Sequence, residues 1–145
     1  MYKYIMSRII NLLSFFAISF AAVTQFQYKS CGTATDLAKN IEMRVLPELP
    51  QKDYTLYLGA DLSQQINQGT SKYSVTYNFI PLSPSTEDLC TEISKSNVTC
   101  PLLNHIDVGS KGSITDGLSG TVVIKNEWFD VSGVRILCMQ FNIKM

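Results

Sequence analysis

The sequence has little of what catalysis or polyanion binding requires. It contains a single histidine, His105, and its 12 Lys and Arg residues are balanced by 12 Asp and Glu residues. One histidine excludes the HExxH zinc motif, and a Ser-His-Asp or Cys-His arrangement would have to use that residue. Nucleic acid normally binds a clustered basic face, which a neutral sequence without a block of like charge does not supply. We therefore predict no catalytic residue, no metal site, no cofactor and no nucleic-acid partner; the chain is not expected to be an enzyme.

No apolar run is long enough for a standard membrane span. Residues 1–24 begin with Lys3 and Arg8 and continue with an apolar stretch of about 15 residues, whereas a spanning helix needs about 20. A short basic start, a short apolar core and small residues are typical of a cleavable secretory signal, with a membrane anchor as the alternative. Cleavage after Ala21 or after Thr24 fits the pattern. We predict a signal peptide at 1–24, cleaved near 21–24, and one domain at 25–145.

The four cysteines include no closely spaced pair of the kind that binds zinc. Cys31, Cys90, Cys100 and Cys138 all follow the signal, and an even number in an exported chain indicates two disulfides. Three pairings are possible, and one of them nests a short loop inside a long one.

A glycosylation motif lies between the second and third cysteines. Asn97-Val98-Thr99 has the sequence of an acceptor site and sits in a mostly polar stretch. Export makes the modification possible, so we predict an N-linked glycan on Asn97.

Long helical periodicity is also absent from the domain. Apolar and polar residues alternate with period two, which indicates half-buried strands, and Gly, Pro, Asn and Asp separate the segments. The strongest strands are predicted at 54–62, 72–79, 121–128 and 134–143, and weaker ones at 38–46, 105–108 and 112–114. This spacing predicts an all-β fold, an immunoglobulin-like β-sandwich of about seven antiparallel strands in two sheets.

Several short motifs resemble the ML lipid-recognition family (Niemann-Pick type C2-like). They are Cys31-Gly32 with Asp36, Asp88-Leu89-Cys90, Cys100-Pro101-Leu102 and Leu137-Cys138. The match covers residues 25–145, and the Asp-Leu-Cys and Cys-Pro-Leu motifs look most like the phosphatidylglycerol/phosphatidylinositol transfer branch. The resemblance implies a lipid held between two sheets, with Cys31 paired to Cys138 and Cys90 to Cys100. Cholesterol-binding members typically have six cysteines, and this chain has four.

An apolar cavity between the sheets would be lined by inward-facing strand residues. By alternation, the candidates, each of which would serve equally well as ordinary core, are Leu56, Leu58, Tyr73, Val75, Tyr77, Phe79, Val122, Ile124, Trp128, Ile136 and Met139. Trp128 and Phe129 precede a turn, so they belong either at a cavity mouth or membrane surface or at a buried strand end. Lys72, Lys125 and Arg135 are either phosphate partners or solvated surface charges.

The leading functional hypothesis is a lipid-binding and intermembrane transfer protein. It would act as a monomer, secreted or in the endosomal/lysosomal lumen, carrying phosphatidylglycerol- or phosphatidylinositol-type phospholipids and contacting membranes transiently. The alternatives are a sterol-binding or sterol-transfer protein and a subunit that presents lipid to a receptor.

Overall fold

The computed structural model describes residues 22–145, so most of the predicted signal peptide lies outside the described residues. The strands are β1 (Gln25–Ser30), β2 (Ala38–Leu46), β3 (Asp53–Leu62), β4 (Gly69–Tyr77), β5 (Ile80–Pro81), β6 (Ser85–Asp88), β7 (His105–Ser113), β8 (Thr121–Asp130) and β9 (Arg135–Lys144), with one helix, α1 (Leu89–Ser94). They form a six-stranded sheet, β1-β9-β8-β4-β5 with β6 also paired to β4, and a three-stranded sheet, β2-β3-β7. The predicted all-β sandwich of antiparallel strands in two sheets is confirmed.

The alternation of apolar residues explains which face of each strand is buried. In β3, Leu58, Ala60 and Leu62 are buried while the residues between them are partly exposed. In β9, four consecutive residues, 136–139, are buried, and this strand lies between β1 and β8 in the larger sheet. A strand that is apolar on both faces is therefore central, as its sequence predicted.

Four of the nine strands differ from the sequence prediction of about seven. β5 and β6 were not predicted, since all their residues are exposed and show no alternation. β7 is continuous from His105 to Ser113, although its exposed polar middle had indicated two short strands, because it pairs with β3 along its whole length. β1 was not predicted, since Phe26 is its only residue that is not exposed, and it forms by pairing with β9. Backbone pairing with a strong neighbour thus makes strands of segments whose own pattern is weak.

The structure contains both disulfides that the resemblance implies. Cys31–Cys138 joins the residue after β1 to β9 within the larger sheet, and Cys90–Cys100 joins α1 to the segment before β7. The helix begins at Leu89 because the carboxylate of Asp88 accepts a hydrogen bond from the Thr91 backbone N–H at 2.7 Å, an N-cap.

The two edges of the sandwich differ. At one edge β1 and β2 are in contact. At the other edge β7 has a strand partner only in β3, and it faces the β4–β6 side of the larger sheet and α1 without pairing to them. This second edge is closed at one end, near the start of β7, by the buried residues Ile66 and Leu102, and we call this the lower end of the sandwich. The backbones of the two residues exchange hydrogen bonds of 3.0 and 2.8 Å.

Candidate functional site

An apolar cavity of about 430 Å³ lies between the two sheets. Its walls come from the inward faces of β3 and β7 on one side and of β4, β8 and β9 on the other, with α1 at the edge. The volume lies within the range of about 300–1,000 Å³ that is usual for small-molecule pockets. The sandwich therefore holds open space where two sheets would ordinarily interdigitate.

Most of the candidate cavity residues lie in this wall. The seven that line the cavity are Leu56, Leu58, Tyr73, Val75, Ile124, Trp128 and Met139. Leu58, Trp128 and Met139 are almost fully buried, whereas Leu56 and Val75 keep part of their surface exposed.

Four of the candidates lie elsewhere. Phe79 is 91% exposed in the turn after β4, so its predicted inward position is wrong. The alternation ends at Tyr77, because Asn78 and Phe79 adopt positive φ values of 46° and 69° in that turn. Tyr77 donates a hydrogen bond to the Ser119 carbonyl at 2.7 Å. Val122 is half-buried opposite Tyr77, and Ile136 is packed in the core rather than against the cavity.

An aromatic cluster lies at the upper end of the cavity, the end away from Ile66 and Leu102, and the sequence analysis missed it. The rings of Phe26 and Tyr54 meet edge to face at 5.5 Å, and Phe26 lies 6.4 Å from Phe141. Tyr54 shares its strand face with Leu56, so the alternation could have identified it, whereas Phe26 lies on the unpredicted β1. Gly112 is opposite Tyr54 in the register, and a Cβ there would overlap the Tyr54 ring. Burial raises the pKa of Tyr54, so its phenol stays neutral and the cluster adds no charge.

Polar residues mark the mouth of the cavity. Lys95 and Ser96 follow α1, and Ser110 and Lys111 belong to β7, so the opening lies at the edge where β7 is unpaired. Lys95 forms an ion pair with Glu92, and this hydrogen bond raises the pKa of Lys95. Lys111 makes no ion pair within residues 22–145. The mouth therefore carries one paired and one unpaired cation.

The cations considered from the sequence as phosphate partners are not among the residues that line the cavity. Arg135 pairs with Asp36 and Glu127, and Lys125 pairs with Glu127 at 3.0 Å. Lys72 lies over the ring of Phe129, 4.7 Å from its centroid.

The neighbouring Trp128 is only 5% exposed in the cavity wall, so the interpretation as a buried strand residue holds and the membrane-surface one is wrong.

The upper end of the sandwich exposes several large apolar side chains. They come from the β4–β5 turn and its continuation and from the β2–β3 loop: Phe79, Ile80, Leu82, Leu46 and Leu49. The loop from Ser113 to Thr121 connects the two sheets at this end, which is also the end of the Tyr54 and Gly112 pair.

The remaining candidate positions lie at the surface. Asn97 is exposed directly after Ser96 of the mouth. His105 contacts Asp61 at 2.7 Å on the outer face of the smaller sheet. In the described part of the chain, no group of three His, Cys, Asp or Glu side chains is arranged to hold a metal ion. None of the helices described is both long and apolar enough to cross a bilayer.

Comparison with known proteins links this architecture to one family. The profile of the ML domain matches residues 25–145. Chicken MD-1, solved in complex with lipid IVa, is 16% identical, with a TM-score of 0.57 over 86% of this chain and 96% of that one. A Niemann-Pick type C2 protein from the Japanese carpenter ant is 16% identical, with a TM-score of 0.56 over 80% of this chain and 96% of that one. No curated protein sequence matches significantly.

Proposed function

The chain belongs to the ML-domain family, and from this premise we propose that it binds a lipid between its sheets and carries it from one membrane to another. The observation that supports the proposal is the apolar cavity of about 430 Å³, open at one edge. MD-1, which shares the fold, was crystallised with a lipid.

Acyl chains fit the chemistry of the wall. Leu56, Val75 and Ile124 present apolar surface to open space. Each methylene that leaves water for such a surface gains about 0.8 kcal/mol. Uptake needs no catalytic group, because transfer out of water supplies the driving force.

We propose that the preferred head group is anionic, of the phosphatidylglycerol or phosphatidylinositol type. Lys111 has no carboxylate partner among the described residues, and Lys95 also lines the cavity. A phosphate at the mouth stays hydrated while it faces these ammonium groups.

The exposed apolar end provides a contact for a bilayer. Phe79 in the turn after β4, Ile80 in the adjoining β5 and Leu49 in the β2–β3 loop are exposed at the same end of the sandwich as the upper cavity. A monomer in an extracellular or endosomal/lysosomal compartment would insert these side chains among lipid head groups while exchanging its ligand.

The test is vesicle transfer with a cavity-filling variant and a matched control. Val75→Trp places an indole in the cavity, while Thr76→Trp places it on the opposite face of the same strand. We expect the wild-type protein to co-purify with lipid in native mass spectrometry and to accelerate exchange of fluorescent phosphatidylglycerol between vesicles. Val75→Trp should lose at least tenfold of that rate and Thr76→Trp should retain it. Absence of both bound lipid and accelerated exchange in the wild type would contradict the proposal.

A receptor subunit that presents lipid is the second candidate, since the same exposed apolar patch is what such a subunit would bury. Phe79→Ser with Ile80→Ser separates the two functions. If the patch serves membranes, the double variant binds lipid but transfers it slowly. If it serves a receptor, transfer is unchanged and a stable complex with a receptor ectodomain is lost. Competition between labelled sterol and phospholipid tests the sterol alternative.

A further inference from the structure

One polar side chain interrupts the apolar wall of the cavity. Asn126 of β8 is only 6% exposed, and it lies between Ile124 and Trp128 on the inward face. Its neighbours across the sheet are Tyr73 on β4 and Met139 on β9, which also line the cavity. The carboxamide is therefore placed in the middle of the larger sheet's inner surface.

Only half of this carboxamide has a hydrogen-bond partner. The fully buried hydroxyl of Ser71 donates to Asn126 Oδ1 at 3.0 Å. Asn126 Nδ2 donates no hydrogen bond within residues 22–145. The nitrogen is not sealed into the core either, since no fully enclosed side-chain nitrogen or oxygen in the described residues lacks a partner. Because the residue is buried and lines the cavity, the open space beside Nδ2 is the cavity itself.

In the structure, the Ser71 hydroxyl occupies the oxygen half of the Asn126 amide. It holds the oxygen against the sheet, so the NH₂ group is left pointing to the cavity as a donor. A saturated hydrocarbon in this position would cover the donor without pairing it, which is unfavourable in apolar surroundings. A ligand oxygen at the same place would accept the hydrogen bond.

We propose that the cavity selects lipids that carry a hydrogen-bond acceptor on their buried part, and that Asn126 Nδ2 donates the hydrogen bond to this acceptor. The inference rests on the proposed function, since it requires a lipid in the cavity. The chemistry recognised is a carbonyl or hydroxyl oxygen, which belongs either to the ester linkages near the head group or to an oxygenated acyl chain.

The experiment is competition against a fluorescent fatty acid bound to the full mature protein. One arm compares stearate with 10-oxostearate, which differ by a keto group on the chain. The other compares diacyl with dialkyl-ether phosphatidylglycerol, which differ by the ester carbonyls. We expect the wild type to prefer the carbonyl-bearing ligand by at least fivefold in one arm, and that arm identifies the source of the oxygen.

Three variants isolate the role of the amide. Asn126→Leu and Asn126→Ala both remove the NH₂ donor, but leucine reduces the cavity volume and alanine increases it. If both variants lose the preference, the cause is the missing donor and not the change in volume. Both should bind the two ligands of a pair within twofold of each other. Asn142→Leu, on the outward face of β9, should keep the wild-type preference.

Each outcome bears on one of the two proposals. Equal affinity within both pairs in the wild type overturns the role of Asn126 while leaving lipid binding intact. The proposed role of Asn126 is also overturned if either Asn126 variant keeps the full preference for the carbonyl-bearing ligand. If neither the fluorescent fatty acid nor any of the four ligands binds the wild type, the proposed function itself is overturned.

Discussion

Arg135 Nε donates hydrogen bonds to both carboxylate oxygens of Asp36, at 3.0 and 3.1 Å. The pair joins the start of β9 to the loop between β1 and β2, next to the Cys31–Cys138 disulfide. Asp36 is 4% exposed, so its carboxylate depends on protein partners rather than on water.

Replacing Arg135 with Met should therefore destabilise the fold. Hydrogen bonds to charged groups contribute about 1.5–3 kcal/mol, and we expect the free energy of unfolding to fall by about 2 kcal/mol. Urea denaturation measures the change. Lys29→Met, at an exposed position on β1, is the control and should alter stability by less than about 0.5 kcal/mol. Equal stabilities of the two variants would show that the ion pair does not support this loop.

The N-terminal boundary of the folded domain is expected to lie before Val23. Val23 is 2% exposed, its carbonyl accepts from Gln51 at 3.2 Å, and the Thr24 N–H donates to the Lys144 carbonyl at 2.8 Å. A protein comprising residues 22–145 should be about 2 kcal/mol more stable than one comprising 25–145, because the shorter form loses a buried valine. Thermal unfolding compares the two. N-terminal sequencing of secreted protein should accordingly find Ala22 rather than Gln25, and a start at Gln25 would refute this choice of cleavage site.

Three aspartates should lose their stabilising hydrogen bonds only below about pH 4. The Thr91 N–H lowers the pKa of Asp88, the Ser132 hydroxyl lowers that of Asp130, and the Asn40 amide lowers that of Asp61. In unfolded chains the carboxyl of Asp has a pKa of about 3.9. Because the folded pKa values are lower, the stability from these groups is complete at neutral pH. It is lost as the pH falls through the folded values.

These three carboxyls should thus cause no loss of stability between pH 7 and pH 5, the range of endosomal and lysosomal lumens. Urea unfolding at stepwise lower pH tests this, with Asp130→Asn as the variant. The variant should be less stable at pH 7 and lose less stability between pH 4 and pH 2 than the wild type. Asp116→Asn, in the exposed β7–β8 loop, is the control and should follow the wild-type curve. Parallel curves for wild type and Asp130→Asn would contradict the assignment.

The two disulfides should contribute unequally to stability. They close segments with sequence separations of 107 and 10 residues, which the chain-entropy account converts to about 4.7 and about 3 kcal/mol. Chemical denaturation of Cys31→Ala/Cys138→Ala and of Cys90→Ala/Cys100→Ala should rank them in that order. The second double variant also releases the segment that carries Lys95 and Ser96, so its bound lipid should dissociate faster. A reversed ranking would mean that native-state strain, not chain entropy, governs the difference.

Protein made in a glycosylating secretory host should carry a glycan on Asn97. The side chain is exposed, and the residue lies at a turn with φ of 60°. Digestion with an amidase specific for N-glycans should reduce the mass of the wild type, and Thr99→Ala should abolish the change. An unaltered mass would show that the motif is not used.

The sequence predicts the sandwich well because period-two alternation is a local signal, and β3, β4, β8 and β9 carry it clearly. It could not place Phe79, since the alternation continues past the residue where the backbone turns. Nor could it separate cavity wall from core: Ile136 and Met139 are equally apolar, but only Met139 faces the open space. Lys95 and Lys111 were missed because they are distant in sequence and line the same cavity only in the folded sandwich.

For the proposed lipid carrier, we expect the unequal edges of the sandwich to set the energetic barrier to ligand exchange. β7 and the β4–β6 side share no ladder, and the two backbone hydrogen bonds between Ile66 and Leu102 close only the lower end. We therefore expect this edge to spread by rotation about the end held by these two hydrogen bonds, without breaking strand pairing. The activation energy for release is then the cost of wetting apolar wall and acyl chain, so the dwell time of a ligand should lengthen with each methylene it buries.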